Sequence, residues 1–353
     1  MAVIHTERHD TWVNESGSNL KAFINKLSPS KVFVLVDENT RYHCWNKLES
    51  ILSGDEIIIE IKSGESNKTL DTCAFLWEQL LKNAADRKSL LVNLGGGVIG
   101  DMGGFVASTY MRGIPFIQIP TSLLAQVDAS IGAKLGVDFK KYKNLIGVFQ
   151  SPLLVYIKTD FLRTLEKRQM KSGFAEIIKH ALIRSPQLWN SIREMEDIPE
   201  LTVLTNLIIK SVNLKNHIVG LDPLESGIRK ILNFGHTIGH AVESAYMTKS
   251  EPLLHGEAIA IGMICESFIS FKKGALSQDN LDEISFFITK VYSDIRTVKL
   301  EKEKILHFIN HDKKNIGQQK LFALLQGIGD SVYNIPVDED LIIASLEYYT
   351  AHA

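Results

Sequence analysis

The clearest signal along the chain is a set of short, largely apolar runs separated by polar stretches. Residues 31–36 (Lys-Val-Phe-Val-Leu-Val) are rich in β-branched side chains and end in a turn-type cluster, Asp37-Glu38-Asn39-Thr40. Runs of this kind belong to parallel strands covered on both faces. A helical stretch follows, and residues 57–61 predict a second strand. Residues 62–68 form a polar loop, and 69–85 carry helical periodicity. Strands are predicted again at 89–94 and 116–119. Strands alternating with helices indicate an α/β layer with a parallel sheet. After about Thr164 the pattern becomes helical, with amphipathic segments at 172–184, 200–216, 228–246, 256–273 and 278–294, punctuated at Pro223 and Pro252. The expectation is an α/β N-terminal nucleotide-binding domain over 1–165 and an all-α domain over 166–353, with no internal repeat.

At 353 residues the chain is long enough for two domains and a large core. A formal charge of −2 supplies no basic field for nucleic acid or an anionic membrane. No apolar run reaches the roughly 20 residues of a membrane-spanning helix, and the first residues lack the features of a signal peptide. Cys44, Cys73 and Cys265 are scattered and odd in number, which points to reduced thiols in a cytosolic protein.

The strand at 89–94 runs into Gly95, Gly96, Gly97, Val98, Ile99, Gly100 and Asp101, which contain G-x-G-x-x-G. Such a turn lets backbone N–H groups approach a diphosphate at a helix N-terminus. It also arises where a tight turn needs glycine for steric reasons alone. An acidic residue about 20 positions further on would complete the Rossmann fingerprint, whereas the candidate here, Asp37, lies upstream of the glycines. Between Tyr110 and Asn144 the chain is dense in polar side chains, among them Arg112, Thr121, Ser122, Asp128, Lys134, Lys143 and Asn144.

Three histidines fall within 20 residues, His236, His240 and His255. His236 and His240 share a helix face, and His255 opens another apolar helix. Glu176, three residues before Lys179 on a largely apolar helix, offers a semi-buried carboxylate. One carboxylate and two imidazoles make the three-ligand set of a catalytic zinc. Spacing leaves open whether His236 or His240 is the ligand. Glu225, Arg229, Asn233, His236 and His240 fall at intervals of four, four, three and four, which predicts one polar helical stripe.

Residues 95–101, 110–116, 120–128, 143–144, 173–179, 233–240 and 255–257 together resemble the 3-dehydroquinate synthases of the sugar phosphate cyclase superfamily, in the family's order and across most of the chain. The resemblance implies a dehydroquinate synthase-like fold, a homodimer and an active site in the cleft between the domains. It implies conversion of 3-deoxy-D-arabino-heptulosonate 7-phosphate to 3-dehydroquinate and phosphate in the shikimate pathway, with NAD used and regenerated in each turnover. The implied metal is zinc, replaceable by cobalt.

By motif, the implied metal ligands are Glu176, His236 and His255. Glu225, His240, Lys134, Asn144 and Lys179 match catalytic positions. Arg112 (reaching across the dimer), Asp128, Lys143, Lys215, Arg229, Asn233 and Lys313 match substrate contacts. Asp37, Asn39, Glu65, Lys68, Gly96, Gly97, Val98, Asp101, Thr121, Ser122, Phe161 and Thr164 match dinucleotide contacts, shared by Lys134 and Lys143. The chain departs from the family at Ala133 and Leu135, where Gly-Gly-Lys-Thr is usual, and over residues 137–142. Three alternatives remain: a cyclase for another sugar phosphate, an iron- or zinc-dependent polyol dehydrogenase of the same fold, and a non-catalytic descendant. Partners expected to be absent are nucleic acid and membrane.

Overall fold

A computed structural model describes the chain except residues 53, 141, 248, 250, 294, 296–297, 311–318 and 353. Residue contacts divide it into two compact units, Met1–Glu166 with Lys215–Leu224, and Lys167–Leu214 with Glu225–Ala353. Residues 215–224 therefore group with the first unit, although by position along the chain they fall within the helical half.

The first unit holds strands β1 (Ala2–His5), β2 (Asp10–Val13), β3 (Val32–Asp37), β4 (Ile57–Ile61), β5 (Leu90–Gly95), β6 (Phe116–Pro120), β7 (Lys134–Phe139), β8 (Tyr142–Phe149) and β9 (Leu154–Ile157). Its helices are α1 (Gly17–Leu27), α2 (Glu38–His43), α3 (Trp45–Glu49), α4 (Leu70–Lys82) and α5 (Gly97–Thr109). Seven strands form one sheet in the order β1-β2-β9-β6-β5-β3-β4, parallel except where β1 meets β2. The unbroken apolar run of β3 has a simple cause. Phe33 and Leu35 enter one core cluster while Val34 and Val36 enter another, so alternate side chains fill both faces. Each such side chain contributes about 1.5–3 kcal/mol by leaving water.

From β3 the chain passes to β4 on one side and then to β5 on the other. That reversal is a topological switch point, and ligands of open α/β sheets bind outside the carboxyl ends of strands at such a point. Asp37 ends β3 and Gly95 ends β5. The acid and the glycines, far apart in sequence, thus end neighbouring strands.

The second unit contains α6 (Lys167–Arg184), α7 (Pro186–Ile192), the first part of α8 (Leu201–Leu221), α9 (His236–Tyr246), α10 (His255–Lys272), α11 (Gln278–Val291), α12 (Lys302–Asn310) and α13 (Glu339–His352). It also holds an antiparallel hairpin, β10 (Leu321–Gly327) with β11 (Asp330–Pro336), which the helical pattern does not predict. The hairpin is fastened to α6, with Gly329 N–H donating to Leu182 O at 2.7 Å and the Ser331 hydroxyl to Ile183 O at 3.1 Å. Every residue of α10 from Gly256 to Ser270 is buried. A helix buried on every side is a central helix.

The pattern predicts one helix over 228–246, and the structure breaks it. Residues Ile228–Asn233 form a 3-10 turn, Gly235 is left-handed at φ 77°, and α9 begins at His236. The break lets the backbones of α9 and α10 meet. A Cβ on Gly262 would sit 1.9 Å from Gly235 O, and one on Gly239 3.0 Å from Ala258 O.

Candidate active site

In the second unit, His236 and His255 are the first residues of α9 and α10, and Glu176 lies midway along α6. Glu176 is fully buried and ion-paired to the equally buried Lys179. Glu176 Oε1 stands 3.5 Å from Nε2 of His236 and 3.5 Å from Nε2 of His255. Donors about 2.1 Å from a tetrahedral ion lie about 3.4 Å apart, so both separations suit one metal between them.

The ring hydrogen bonds point the same way. His236 Nδ1 is 3.0 Å from Phe234 O. A carbonyl only accepts, so Nδ1 carries the proton and Nε2 keeps the lone pair a metal needs. His255 Nδ1 faces Glu243 Oε2 at 3.4 Å. Burial opposes a charge on His255, but Glu176 and Glu243 outweigh it and raise its pKa to about 10. The ligand atoms of His236, His240 and His255 lie within 4.8 Å of one another. With Glu176, four donors converge, and geometry alone admits either histidine of α9.

Backbone and side-chain ties join α6 to α10. Arg168 grips Glu257 bidentately at 2.7 and 2.8 Å. Gly256 N–H donates to Ser172 Oγ at 3.0 Å, and a Cβ on Gly256 would lie 1.9 Å from Ser172 O. Only glycine lets the residue after His255 pass so close to the helix that carries Glu176.

The predicted stripe from Glu225 to His240 is not one helical face. Glu225 is left-handed at φ 60° in the turn before the 3-10 segment. It accepts from Asn233 Nδ2 at 2.7 Å, so the two meet across a turn instead of along a helix. Arg229 is buried. Lys313 lies outside the described residues.

In the first unit the glycines divide into two kinds. A Cβ on Gly95 would strike Ile99 at 2.5 Å, whereas Cβ atoms on Gly96 and Gly97 would meet only Ser122 Oγ at 3.6 Å and Ala129 Cβ at 3.5 Å. Gly95 is thus required by packing. Gly96 and Gly97 are not, and they leave the N-terminus of the 13-residue α5 open to a ligand. Thr121 and Ser122 follow β6, and Thr121 N–H bonds Gly95 O at 3.0 Å. Asp37 caps α2, accepting from Thr40 N–H at 2.8 Å, and Asn39 is exposed.

Lys68 Nζ is 2.6 Å from both Asp101 Oδ2 and Asn144 Oδ1. Burial opposes the Lys68 charge, but Asp101 and Glu65 outweigh it and hold its pKa above the ordinary value. Lys143 faces Glu65 at 3.9 Å. Lys215 donates to Asp128 O and Oδ1, each at 2.6 Å. Val98 is half-buried, while Arg112, Lys134 and Thr164 are exposed. Phe161 is buried among Leu94, Ile119 and Leu154 in a core cluster, so its environment is that of a packing residue. Leu135 is likewise a core residue, filling the space beside Gly104, which accounts for its apolar identity. Of the departing segment 137–142, residue 141 lies outside the described residues; Phe139 of β7 pairs with Tyr142 of β8, and Asp138 accepts from Asn144 N–H at 2.8 Å.

Glu243, Glu266 and Arg168 escape a reading of the sequence alone. For Glu243 and Glu266 the one linear signal is a charge within a largely apolar helix, clearest for Glu266 in α10; Arg168 lies in the polar opening of α6 and carries none. The cysteines are free and buried. Burial lifts the Cys44 and Cys73 thiols to about 11 and about 12 and raises Cys265 as well.

Family models for 3-dehydroquinate synthase match this chain, the N-terminal one over residues 58–172 and the C-terminal one over 173–315. A 3-dehydroquinate synthase of Parabacteroides distasonis is 41% identical over 334 residues, spanning 94% of this chain and 95% of that protein. Among solved structures, 2-epi-5-epi-valiolone synthase from Streptomyces hygroscopicus subsp. jinggangensis 5008, with NAD+ and Zn2+ bound, superposes with a TM-score of 0.87 at 25% identity, covering 100% of this chain and 99% of that one. A 2-deoxy-scyllo-inosose synthase complexed with carbaglucose-6-phosphate, NAD+ and Co2+ gives 0.86 at 25% identity, covering 98% and 97%.

Proposed function

Because this chain belongs to the 3-dehydroquinate synthase family, we propose that it converts 3-deoxy-D-arabino-heptulosonate 7-phosphate to 3-dehydroquinate and phosphate. The observation that carries the reading is the placing of Glu176 Oε1 at 3.5 Å from two imidazole Nε2 atoms. Glu176, His236 and His255 would hold a divalent zinc or cobalt ion, and the open end of α5 with Gly96 and Gly97 would take the NAD diphosphate.

When bound, these groups would supply acidification of the C5 hydroxyl and a hydride acceptor that gives its hydride back before product release. The remaining work falls to side chains. His240, one turn beyond His236, is left to exchange protons with the substrate. Glu225, oriented by Asn233, is a second group for proton transfer. Lys179 balances the Glu176 charge within the buried site. Lys134, Lys143, Asn144, Lys215, Arg229 and Lys313 provide the donors that a dianionic phosphate and a carboxylate need, with Asp128 orienting Lys215. Asp37, Asn39, Glu65, Lys68, Val98, Asp101, Thr121, Ser122 and Thr164 are proposed to line the dinucleotide.

The reading extends to a nucleotide-binding domain ending near residue 165, a homodimer in which Arg112 reaches the partner's substrate, and a cytoplasmic location. Among the described residues no helix is long and apolar enough to cross a membrane. Light scattering on the purified protein tests the dimer. The decisive assay follows phosphate and NADH together. Phosphate release is expected to require both NAD+ and metal without net NADH; no release from the heptulosonate substrate would sink the reading. The chain keeps Asn233 and His240, and it is 41% identical to a dehydroquinate synthase but 25% identical to the valiolone and inosose synthases. Both observations favour this substrate over those of the other cyclases.

A further inference from the structure

Glu243 and Glu266 occupy matching places on the two histidine helices. Glu243 lies two turns along α9 from His236, and Glu266 three turns along α10 from His255, so each shares a face with the histidine that opens its own helix. Each reaches across to the start of the other helix. Glu243 Oε2 faces His255 Nδ1 at 3.4 Å. Glu266 accepts three backbone N–H groups at the start of α9, from Gly235 at 2.7 Å and from Thr237 and Ile238 at 3.0 Å.

The Glu266 contacts answer a need created by the sequence. The first N–H groups of a helix have no partner within it, and a serine, threonine or aspartate at the N-cap normally accepts from them. Here the N-cap is Gly235, which has no side chain to do so. Glu266, fully buried on α10, does that work from the neighbouring helix, and its charge suits the positive helix end. The carboxylate thereby fixes the turn from which His236 projects. Glu243 acts on the ring itself. A carboxylate accepting from Nδ1 holds the imidazole in the tautomer that presents Nε2 and makes that nitrogen more basic.

We propose that Glu243 and Glu266 are positioning residues for the metal centre, exchanged between α9 and α10, each setting the histidine at the head of the opposite helix. This inference rests on the metal assignment above, and the test separates the two. Cobalt is titrated into metal-free protein, with its visible d–d absorption reporting both affinity and ligand geometry, and the unfolding midpoint of each metal-free variant is measured alongside. Absence of a 1:1 cobalt complex in the unaltered protein overturns the metal assignment itself. Given such a complex, Glu243→Ala and Glu266→Gln are each expected to weaken cobalt about 10- to 100-fold and to alter the spectrum. Glu243→Gln, which retains an acceptor, should recover part of the loss. Folded variants that bind cobalt within about threefold of the unaltered protein, with an unchanged spectrum, overturn the proposal even if their midpoints have fallen. If Glu266→Gln does not fold, Glu243→Ala decides: unchanged affinity there overturns the reciprocal arrangement, and a tenfold loss supports it.

Discussion

Lys68 and Asp101 form a buried ion pair, with Nζ 2.6 Å from Oδ2 and side chains only 4% and 17% exposed. Removing one member of such a pair strands the other charge away from water, a loss of about 3–5 kcal/mol. Lys68→Met should therefore lower the urea midpoint of protein free of NAD. A loss below about 1 kcal/mol would mean that the pair serves ligand binding alone.

The two histidines of α9 should respond differently to truncation. With His236 and His255 as ligands, His236→Ala is expected to abolish stoichiometric zinc or cobalt, whereas His240→Ala should retain the metal and lose most turnover. Metal analysis beside a phosphate-release assay distinguishes them. Loss of metal in both variants would show that the ligand and substrate roles have been divided wrongly.

His9, in the turn between β1 and β2, gives the fold a dependence on pH. It is buried, and neither ring nitrogen has a hydrogen-bond partner among the described residues. Burial lowers its pKa from 6.5 to about 4, against a smaller opposing effect of Asp10. Between those values the unfolded chain binds a proton that the native one refuses. Stability should fall as pH drops through that window, by about 3 kcal/mol in full, and be insensitive to this group above it. Urea midpoints from pH 8 down to pH 4.5 should show a shallower decline in His9→Leu. Parallel curves for the two proteins would exclude His9 as the cause.

Ala133 holds a left-handed backbone, φ 60°, beside Gly132 at φ 115°. That conformation costs a residue with a Cβ about 1–2 kcal/mol, and glycine there would lose about 0.5–1 kcal/mol through the freer unfolded chain. Ala133→Gly should therefore raise stability slightly, by about 0.5 kcal/mol. A lowered thermal midpoint would contradict the argument.

How much of this is legible in the sequence follows from how local each cause is. Strands β3, β5 and β6 can be read because both faces are buried, which leaves largely apolar runs, and the edge strand β4 because only Glu60 interrupts its isoleucines. Strands β1, β2 and β9 are four residues each, too short for a period to register. The hairpin of β7 and β8 carries exposed positions and a left-handed Lys140, so no clean alternation marks it. The histidines announce themselves by clustering, yet Glu176 joins them only through the packing of α6 on α10. The interruption before α9 has its sole linear sign in Gly235, because the flanking residues keep a helical pattern. Glu266 stands out as a charge in α10, but its role is the least legible: its partners are backbone groups at the start of another helix, and these carry no sequence signature.

The contact between Gly235 and Gly262 bears on how such a centre can change. Two helices that touch main chain to main chain have no side chains between them to trim or enlarge, so their spacing is fixed by the thickness of the polypeptide itself. Replacements around the donors can swap which atoms meet the ion, but they have little means of moving the helices closer. Selection for a different ion would have to work by changing donor identity, while the frame that holds the donors keeps a constant gauge.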